Sequence, residues 1–231
     1  MFRAAPARRG IDRAASIEVD QSADEIALYR GRRSEEACDV EVMEAIHRRR
    51  AVREYAEAAV DAETIRALID AAIWAPTAVD RQAWSFVVVT DRAFLKKYSD
   101  AAKAHLLARL AANPHLAGLR GHLTSPEFNI FYGAPVLIVI CATDPDPMAA
   151  QSACLAAENL MLAACARELG TCWIGLAEDW LNQQAAKSEL MIPADHIPVA
   201  PIIVGHPLRL PEPPQRHAPS IVWIEGKSER S

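Results

Sequence analysis

Four apolar runs in this chain are short and rich in β-branched residues: Trp84–Thr90 (WSFVVVT), Pro135–Thr143 (PVLIVICAT), Thr171–Gly175 (TCWIG) and Val199–Gly205 (VAPIIVG). Continuous apolar character at that length, without polar alternation, predicts buried strands covered on both faces. Between them the apolar positions recur at helical spacing. Val40, Met43, Ala45 and Ile46 make one such stripe, and Ile65, Leu68, Ile69, Ala72 and Ile73 make another. The second follows Asp61, a residue suited to capping a helix start with Thr64 inside the first turn. Pro76 disfavours helical backbone in its predecessor, so this helix is expected to run to Ala75 and stop there. Further helices are expected over 92–112, over about 149–169 closed by Gly170, and over about 179–191 closed by Pro193. Strands and helices interleave without a regular βαβ rhythm. That pattern predicts a mixed sheet with helices on both sides rather than a doubly wound parallel sheet.

The helix ending at Gly170 (SACLAAENLMLAACARELG, from Ser152) is apolar nearly all round and is broken only by Glu158 and Asn159 in its middle. Such a helix is buried on more than one side, either at the centre of the monomer or against a second subunit. The tail after Gly205 is rich in proline and then strand-like at Ile221–Glu225. It has no core of its own and is expected to wrap a partner subunit. Residues 1–38 are polar and weakly periodic, which reads as an N-terminal extension with a short helix near Ala23–Tyr29. The compact domain is expected over 39–231.

Composition removes several function classes. The 231 residues, 51% of them hydrophobic, suffice for one large domain or two small ones. Thirty acids outnumber twenty-five bases, which weighs against a nucleic-acid partner, because such binders carry a broad basic face. The longest apolar run, Ala134–Ala142, is strand-sized and far below the roughly 18 residues that cross a bilayer, so no membrane partner is expected. The Arg- and Ala-rich N-terminus lacks the apolar segment of a secretory signal. The five cysteines (Cys38, Cys141, Cys154, Cys165 and Cys172) are odd in number and show no C-x-x-C, which suggests reduced core thiols and a cytoplasmic location. Neither a Gly-rich phosphate loop, nor G-x-S-x-G, nor H-x-x-x-H is present, and no metal is expected. The acidic ATDPDP segment reads as a turn, since Asp-Pro pairs are ordinary turn formers.

Within this acidic chain, HRRRAVREY (His47–Tyr55) gathers four arginines in six residues at the end of an apolar helical segment. Cations at a helix C-terminus favour the macrodipole, which is one explanation. The planar fork of arginine also grips phosphate with paired donors, which is the other. The following segment, Trp74–Thr90 (WAPTAVDRQAWSFVVVT), joins a helix to a strand through a turn of Pro, Thr, Asp and Gln.

Together, RRRAVREY and APTAVDRQAWSFVVV resemble the signature of the FMN-dependent nitroreductase family, usually RRSVRxF and APSAxNxQPWxFVVV. EFNIFYGAPVLIVICA, AAENLMLAACARELGTCWIG and PIIVGHPLRLPEPPQR follow in the same order, and the similarity spans roughly residues 40 to 224. The resemblance implies an α+β fold with a mixed, mostly antiparallel sheet flanked by helices, in an intertwined homodimer with FMN at the subunit interface. It implies that Arg49, Arg50, Ala51 and Arg53 contact the flavin, with Arg49 nearest the phosphate and Arg53 toward the pyrimidine end. Pro76, Thr77, Ala78 and Asp80 match a turn that reaches the flavin from the opposite subunit. Asn129 matches an amide on the polar edge of the ring, and Trp173, Ile174, Gly175 and Leu176 match backbone beside its reactive nitrogen. Arg216 matches a C-terminal cation on the phosphate. Four positions depart from the pattern: Ala51 replaces Ser, Asp80 replaces Asn, Ala83 replaces Pro, and Pro214 stands where some relatives have a second cation.

The implied activity is a ping-pong exchange between NADH or NADPH and an electron-poor acceptor such as a nitroaromatic, quinone or enone. No side-chain acid or base is required, because the flavin carries the chemistry. A specialised flavin reaction, such as reductive dehalogenation or azoline oxidation, and a non-catalytic FMN-binding role remain alternatives on the same scaffold.

Overall fold

The computed structural model describes residues 41–110 and 118–224. The N-terminal extension, with its expected helix near Ala23–Tyr29, lies outside the described residues. In chain order the elements are α1 (Val42–Arg48), α2 (Ala62–Ala72), a 3₁₀ turn (Ala78–Asp80), β1 (Trp84–Val89), α3 (Arg92–Arg109), α4 (Arg120–Thr124), β2 (Val136–Ala142), α5 (Pro147–Ala166), β3 (Gly170–Trp173), α6 (Gly175–Leu181), α7 (Gln184–Glu189) and β4 (Ile197–Gly205). The four strands form one sheet in the order β1-β2-β4-β3, and every pairing in it is antiparallel. Among the described residues the parallel component of the expected mixed sheet is a single isolated bridge, Ala51 to Thr171.

Strand periodicity sorts the core into two layers. On β2, Val136, Ile138, Ile140 and Ala142 face one side and pack with Leu68 of α2 and Ala153, Ala157, Leu160 and Ala164 of α5. Leu137, Val139 and Cys141 face the other side and pack with Leu95, Tyr98 and Ala102 of α3 and with Trp180 and Leu181 of α6. Helices therefore cover both faces, as the continuous apolar β2 run requires.

Local chemistry sets most element ends. Asp61 accepts from the Thr64 amide at 2.7 Å and starts α2. Asp146 accepts from the Met148 amide at 2.9 Å and starts α5, with Pro147 in the first turn where a missing N–H costs nothing. The expected Asp-Pro turn is thus also a helix cap.

Other expectations are corrected. β1 is an edge strand, half-exposed along its length rather than buried. Helix α2 stops at Ala72, before Ala75, and α3 stops at Arg109. The helix expected over 179–191 is two, α6 and α7, separated at Asn182 and Gln183, and it breaks well before Pro193. β4 starts earlier than Val199 and carries Pro198 and Pro201 in an interior strand. The register shift between Ile140 and Cys141 falls opposite Pro198, where a missing donor is tolerated. The described part of Ile221–Glu225 forms no strand, and Ile221, Val222, Trp223 and Ile224 are all exposed.

Gly170 does not close α5. Helix α5 ends at Ala166, and Glu168 takes the left-handed conformation (φ 59°) that a terminal glycine would supply. Gly170 begins β3 instead, paired with Gly205 of β4. A Cβ on Gly170 would lie 2.8 Å from Val52 Cβ, and one on Gly205 would lie 2.6 Å from Pro135 Cδ and 2.8 Å from Tyr55 Cδ1. The glycine pair lets residues 52–55 lie directly against the sheet. Val52 is 1% exposed, so it has no room to retreat. Replacing Gly170 with Ala should therefore destabilise the fold by about 1–3 kcal/mol through overpacking. Combining it with Val52→Ala should cost less than the sum of the two single changes. Urea unfolding checks both statements, and additive losses would show that the two residues do not compete for space.

Candidate functional site

The segment after α1 is fixed to the sheet by backbone bonds. Val52 N donates to Thr171 O at 2.9 Å, Leu208 N donates to Glu54 O at 3.0 Å, and Ala56 N donates to His206 O at 2.9 Å. Tyr55 bridges Pro207, and its hydroxyl donates back to Val52 O at 2.8 Å. Burial pushes the Tyr55 phenol far above its ordinary pKa, so it stays a neutral donor. Residues 51–56 are thus held between the start of β3 and the chain leaving β4. There Ala51, Arg53 and Glu54 line, with Arg209, Leu210, Pro211 and Glu212, a cavity of about 520 Å³.

The four arginines differ in what they meet. Arg48 pairs with Glu44 one turn back at 3.0 Å. Arg49, the C-cap residue of α1, reaches Glu158 of α5 at 3.4 Å. Arg50 folds back onto the carbonyls of His47 (2.6 Å) and Arg49 (2.7 Å), which are open acceptors at the end of α1. Arg53 stands over the Tyr132 ring at 5.8 Å from its centroid, and among the described residues no carboxylate comes within ion-pair distance of it. Arg53 and Arg49 also lie near Cys172. Burial raises the Cys172 pKa, and these two cations pull against that rise. The Cys141 thiol, buried in β2, is pushed up to about 11. Cys141 and Cys172 are core thiols as expected, whereas Cys154 is exposed and Cys165 half-buried, against the expectation that all five lie in the core; Cys38 lies outside the described residues.

Asn129 and Trp173–Leu176 flank the same region. Asn129 Oδ1 accepts from the Phe131 amide at 2.8 Å, so its carbonyl is engaged locally. The Ile174 amide donates to Pro201 O at 2.8 Å, which removes it as a donor to any ligand. Leu176 packs with Phe128 beside Leu106, Leu110 and Leu123. Arg216 lies on the exposed chain after β4 and outside the cavity wall.

Pro76, Thr77, Ala78 and Asp80 form a separate turn. Val79, Asp80 and Gln82 all have left-handed backbone (φ 45°, 55° and 49°), which is costly for a β-branched valine. Thr77 Oγ1 accepts from the Gln82 amide at 3.2 Å, Gln82 Nε2 donates to Asp80 Oδ1 at 3.0 Å, and Arg81 binds both Asp144 and Asp146. The turn is thereby tied to the N-terminus of α5, whereas Arg49 is tied to Glu158 further along it. At 1.5 Å per residue, Asp146 and Glu158 are about 18 Å apart along the axis. Within one chain the structure does not bring the Thr77 turn to the arginines.

The family model for "Nitroreductase family" matches residues 46–206. The chain belongs to the nitroreductase family. Among curated relatives, a Methanothermobacter thermautotrophicus protein provisionally named NADH dehydrogenase/NAD(P)H nitroreductase is 27% identical over 190 residues, covering 80% of this chain and 87% of that one. A like-named Archaeoglobus fulgidus protein is 28% identical over 172 residues, covering 72% and 86%. The fold matches a Bacteroides fragilis nitroreductase crystallised with bound FMN at a TM-score of 0.71, with 24% identity, 80% of this chain and 100% of that one covered. As a member of this oxidoreductase family the chain has the nitroreductase-like α+β fold. No helix among the described residues is long and apolar enough to cross a membrane.

Sequence reasoning missed Glu54, Arg209, Leu210, Pro211 and Glu212 as cavity walls, Tyr132 beneath Arg53, and Glu158 beside Arg49. Arg209 pairs with Glu54 at 2.5 Å across 155 positions of sequence. No local pattern signals such a pairing. Tyr132 has a partial signal, since Gly133 follows it in a short turn, but only the fold puts its ring under Arg53.

Proposed function

We propose that this chain is an FMN-dependent oxidoreductase that uses NADH or NADPH to reduce nitroaromatics, quinones or similar electron-poor acceptors. The observation that carries this reading is Arg53, a cation on the wall of a cavity of about 520 Å³ that has no carboxylate partner among the described residues. That volume lies within the range of cofactor sites. A positive group without a counter-ion suits a ligand that gains negative charge when reduced. FMN, when bound, supplies the two-electron chemistry between nicotinamide and acceptor.

The chain's own residues then have distinct tasks. Arg49, Arg50 and Arg216 would hold the phosphate, and Ala51, lacking the hydroxyl of the usual Ser, leaves more of that task to the guanidiniums. Arg53 would face the pyrimidine end. Asn129 would offer its amide N–H, its carbonyl being engaged with Phe131. Trp173, Ile174, Gly175 and Leu176 would line the ring with backbone atoms.

Pro76, Thr77, Ala78 and Asp80 would complete the site from a second copy, since their turn is anchored about 18 Å along α5 from the Arg49 pair. The exposed apolar side chains support that assembly. Val42, Met43 and Ile46 on α1, Met148 and Leu155 on α5, and Trp74 and Val79 beside the Thr77 turn are all exposed in the single chain. The chain after Gly205 adds Leu208, Leu210 and Ile221–Ile224. An exposed apolar surface of that extent marks an interface, and a homodimer wrapped by the C-terminal arm would cover it.

Three measurements test the reading. Replacing Arg49 and Arg216 together with Ala should weaken FMN binding by roughly ten- to a hundredfold for each charge-assisted hydrogen bond removed. An unchanged FMN content and visible spectrum in the double variant would refute their role. The mass by light scattering at micromolar concentration should be that of a dimer, and a monomer still holding FMN would refute the shared site. Donor and acceptor should compete for one open face, so double-reciprocal plots at several acceptor concentrations should be parallel. Intersecting lines with both substrates bound at once would mean two sites.

A further inference from the structure

We propose that Tyr132 is a positioning residue for Arg53: its ring holds the guanidinium at the cavity wall without neutralising it. This rests on the reading that FMN occupies the cavity.

The ring is supported from several sides. Lys103 of α3, only 6% exposed, donates from Nζ to Phe128 O at 2.6 Å and Ser125 O at 3.4 Å, and pairs with Asp100 at 3.2 Å. Ser99 Oγ, one turn earlier, accepts from the Ile130 amide at 3.0 Å. Ile130 and Phe131 are fully buried. The turn closes with Tyr132 N donating to Asn129 O at 2.9 Å and Ala134 N to Phe131 O at 3.0 Å. Tyr132 is thereby held at φ 53°, a conformation that costs a residue with a bulky side chain and persists only where the surroundings impose it. Phe128 packs edge-on against the Tyr132 ring at 5.9 Å, and His122 packs on Phe128 at 5.7 Å. The strained turn, the buried lysine and the aromatic stack all serve to place one ring face under one cation.

The other paired arginines supply the chemical reason. Arg48, Arg49, Arg81 and Arg209 each sit against a carboxylate. A carboxylate orients a guanidinium but cancels its field. An aromatic face orients it through the ring quadrupole and adds no net charge. Arg53 thus keeps a full positive charge directed at the cavity, where a reduced ligand benefits more than an oxidised one.

The test is a redox titration of bound FMN in the full-length holoprotein, with FMN affinity measured in parallel. Tyr132→Asn removes the ring yet suits left-handed backbone, so the turn is retained. It should lower the preference for reduced over oxidised FMN, read as the ratio of the two dissociation constants, by about threefold to tenfold. For a two-electron couple that is a fall of roughly 15–30 mV in midpoint potential. Tyr132→Phe, which keeps the ring, should leave the ratio as in the parent. In an Arg53→Met background, Tyr132→Asn should have no further effect. The proposal is overturned if Tyr132→Asn leaves the ratio unchanged while Arg53→Met lowers it, or if Tyr132→Asn acts equally with and without Arg53. If Arg53→Met itself changes neither FMN affinity nor potential, the FMN reading of the cavity fails and takes this proposal with it.

Discussion

The close approach of residues 52–55 to the Gly170–Gly205 pair is the interaction on which the remainder of the site depends. Two glycines face each other across the β3–β4 ladder, and each stands where a Cβ would strike the 52–55 segment or its neighbour Pro135. Because the backbone can lie that close, Val52 reaches the Thr171 carbonyl and Glu54 receives the Leu208 amide. The cavity walls follow from this docking, since one wall is Ala51, Arg53 and Glu54 and the other is Arg209, Leu210, Pro211 and Glu212. Glycine is required at both positions by space rather than by backbone conformation, as neither is among the residues with positive φ.

Charge is organised on the same frame. Three of the arginines around the 48–54 segment are answered by carboxylates: Arg48 by Glu44, Arg49 by Glu158 and Arg209 by Glu54. Exposed pairs of this kind contribute little stability, typically below about 1 kcal/mol. Their consequence is directional. They hold Arg48, Arg49 and Arg209 in defined places, while Arg50, turned onto backbone carbonyls, and Arg53, over the Tyr132 ring, meet no carboxylate among the described residues.

Much of this is legible in the sequence because the signals are local. Asp61 with Thr64, and the apolar Val136–Ala142 run, mark elements through residues a few positions apart. The order of motifs groups 49–53, 129 and 173–176 in one family site. What stays hidden depends on long-range packing. Gly170 reads as a helix terminator because glycine ends helices, but Glu168 adopts the left-handed backbone and Val52, more than a hundred positions away, explains the glycine. β1 reads as buried because its composition matches an interior strand, yet the sheet order leaves it at an edge. The 179–191 helix reads as one because no proline interrupts it, yet Asn182 Nδ2 donates to both Glu178 O and Pro198 O at 2.9 Å and ties the break to β4. Glu54–Arg209 and Arg53–Tyr132 join distant segments and carry no local signature.

The turn at 77–82 is the least economical part of the chain taken alone. Its Val79 is left-handed, which typically costs on the order of 1–3 kcal/mol, and is 88% exposed. Strain at an apolar, solvent-facing residue is not recovered by anything that residue touches within the chain. The anchors lie elsewhere, in Arg81 against Asp144 and Asp146 and in Thr77 against the Gln82 amide, and they fix the turn in a shape that projects Val79 outward. In the proposed dimer the same projection acquires a purpose, because burying Val79 and Trp74 against a second copy would offset the strain while carrying Thr77 and Ala78 to the other chain's arginines. Assembly and cofactor site would then share one energetic origin, with the strained turn held ready by α5 before the partner arrives.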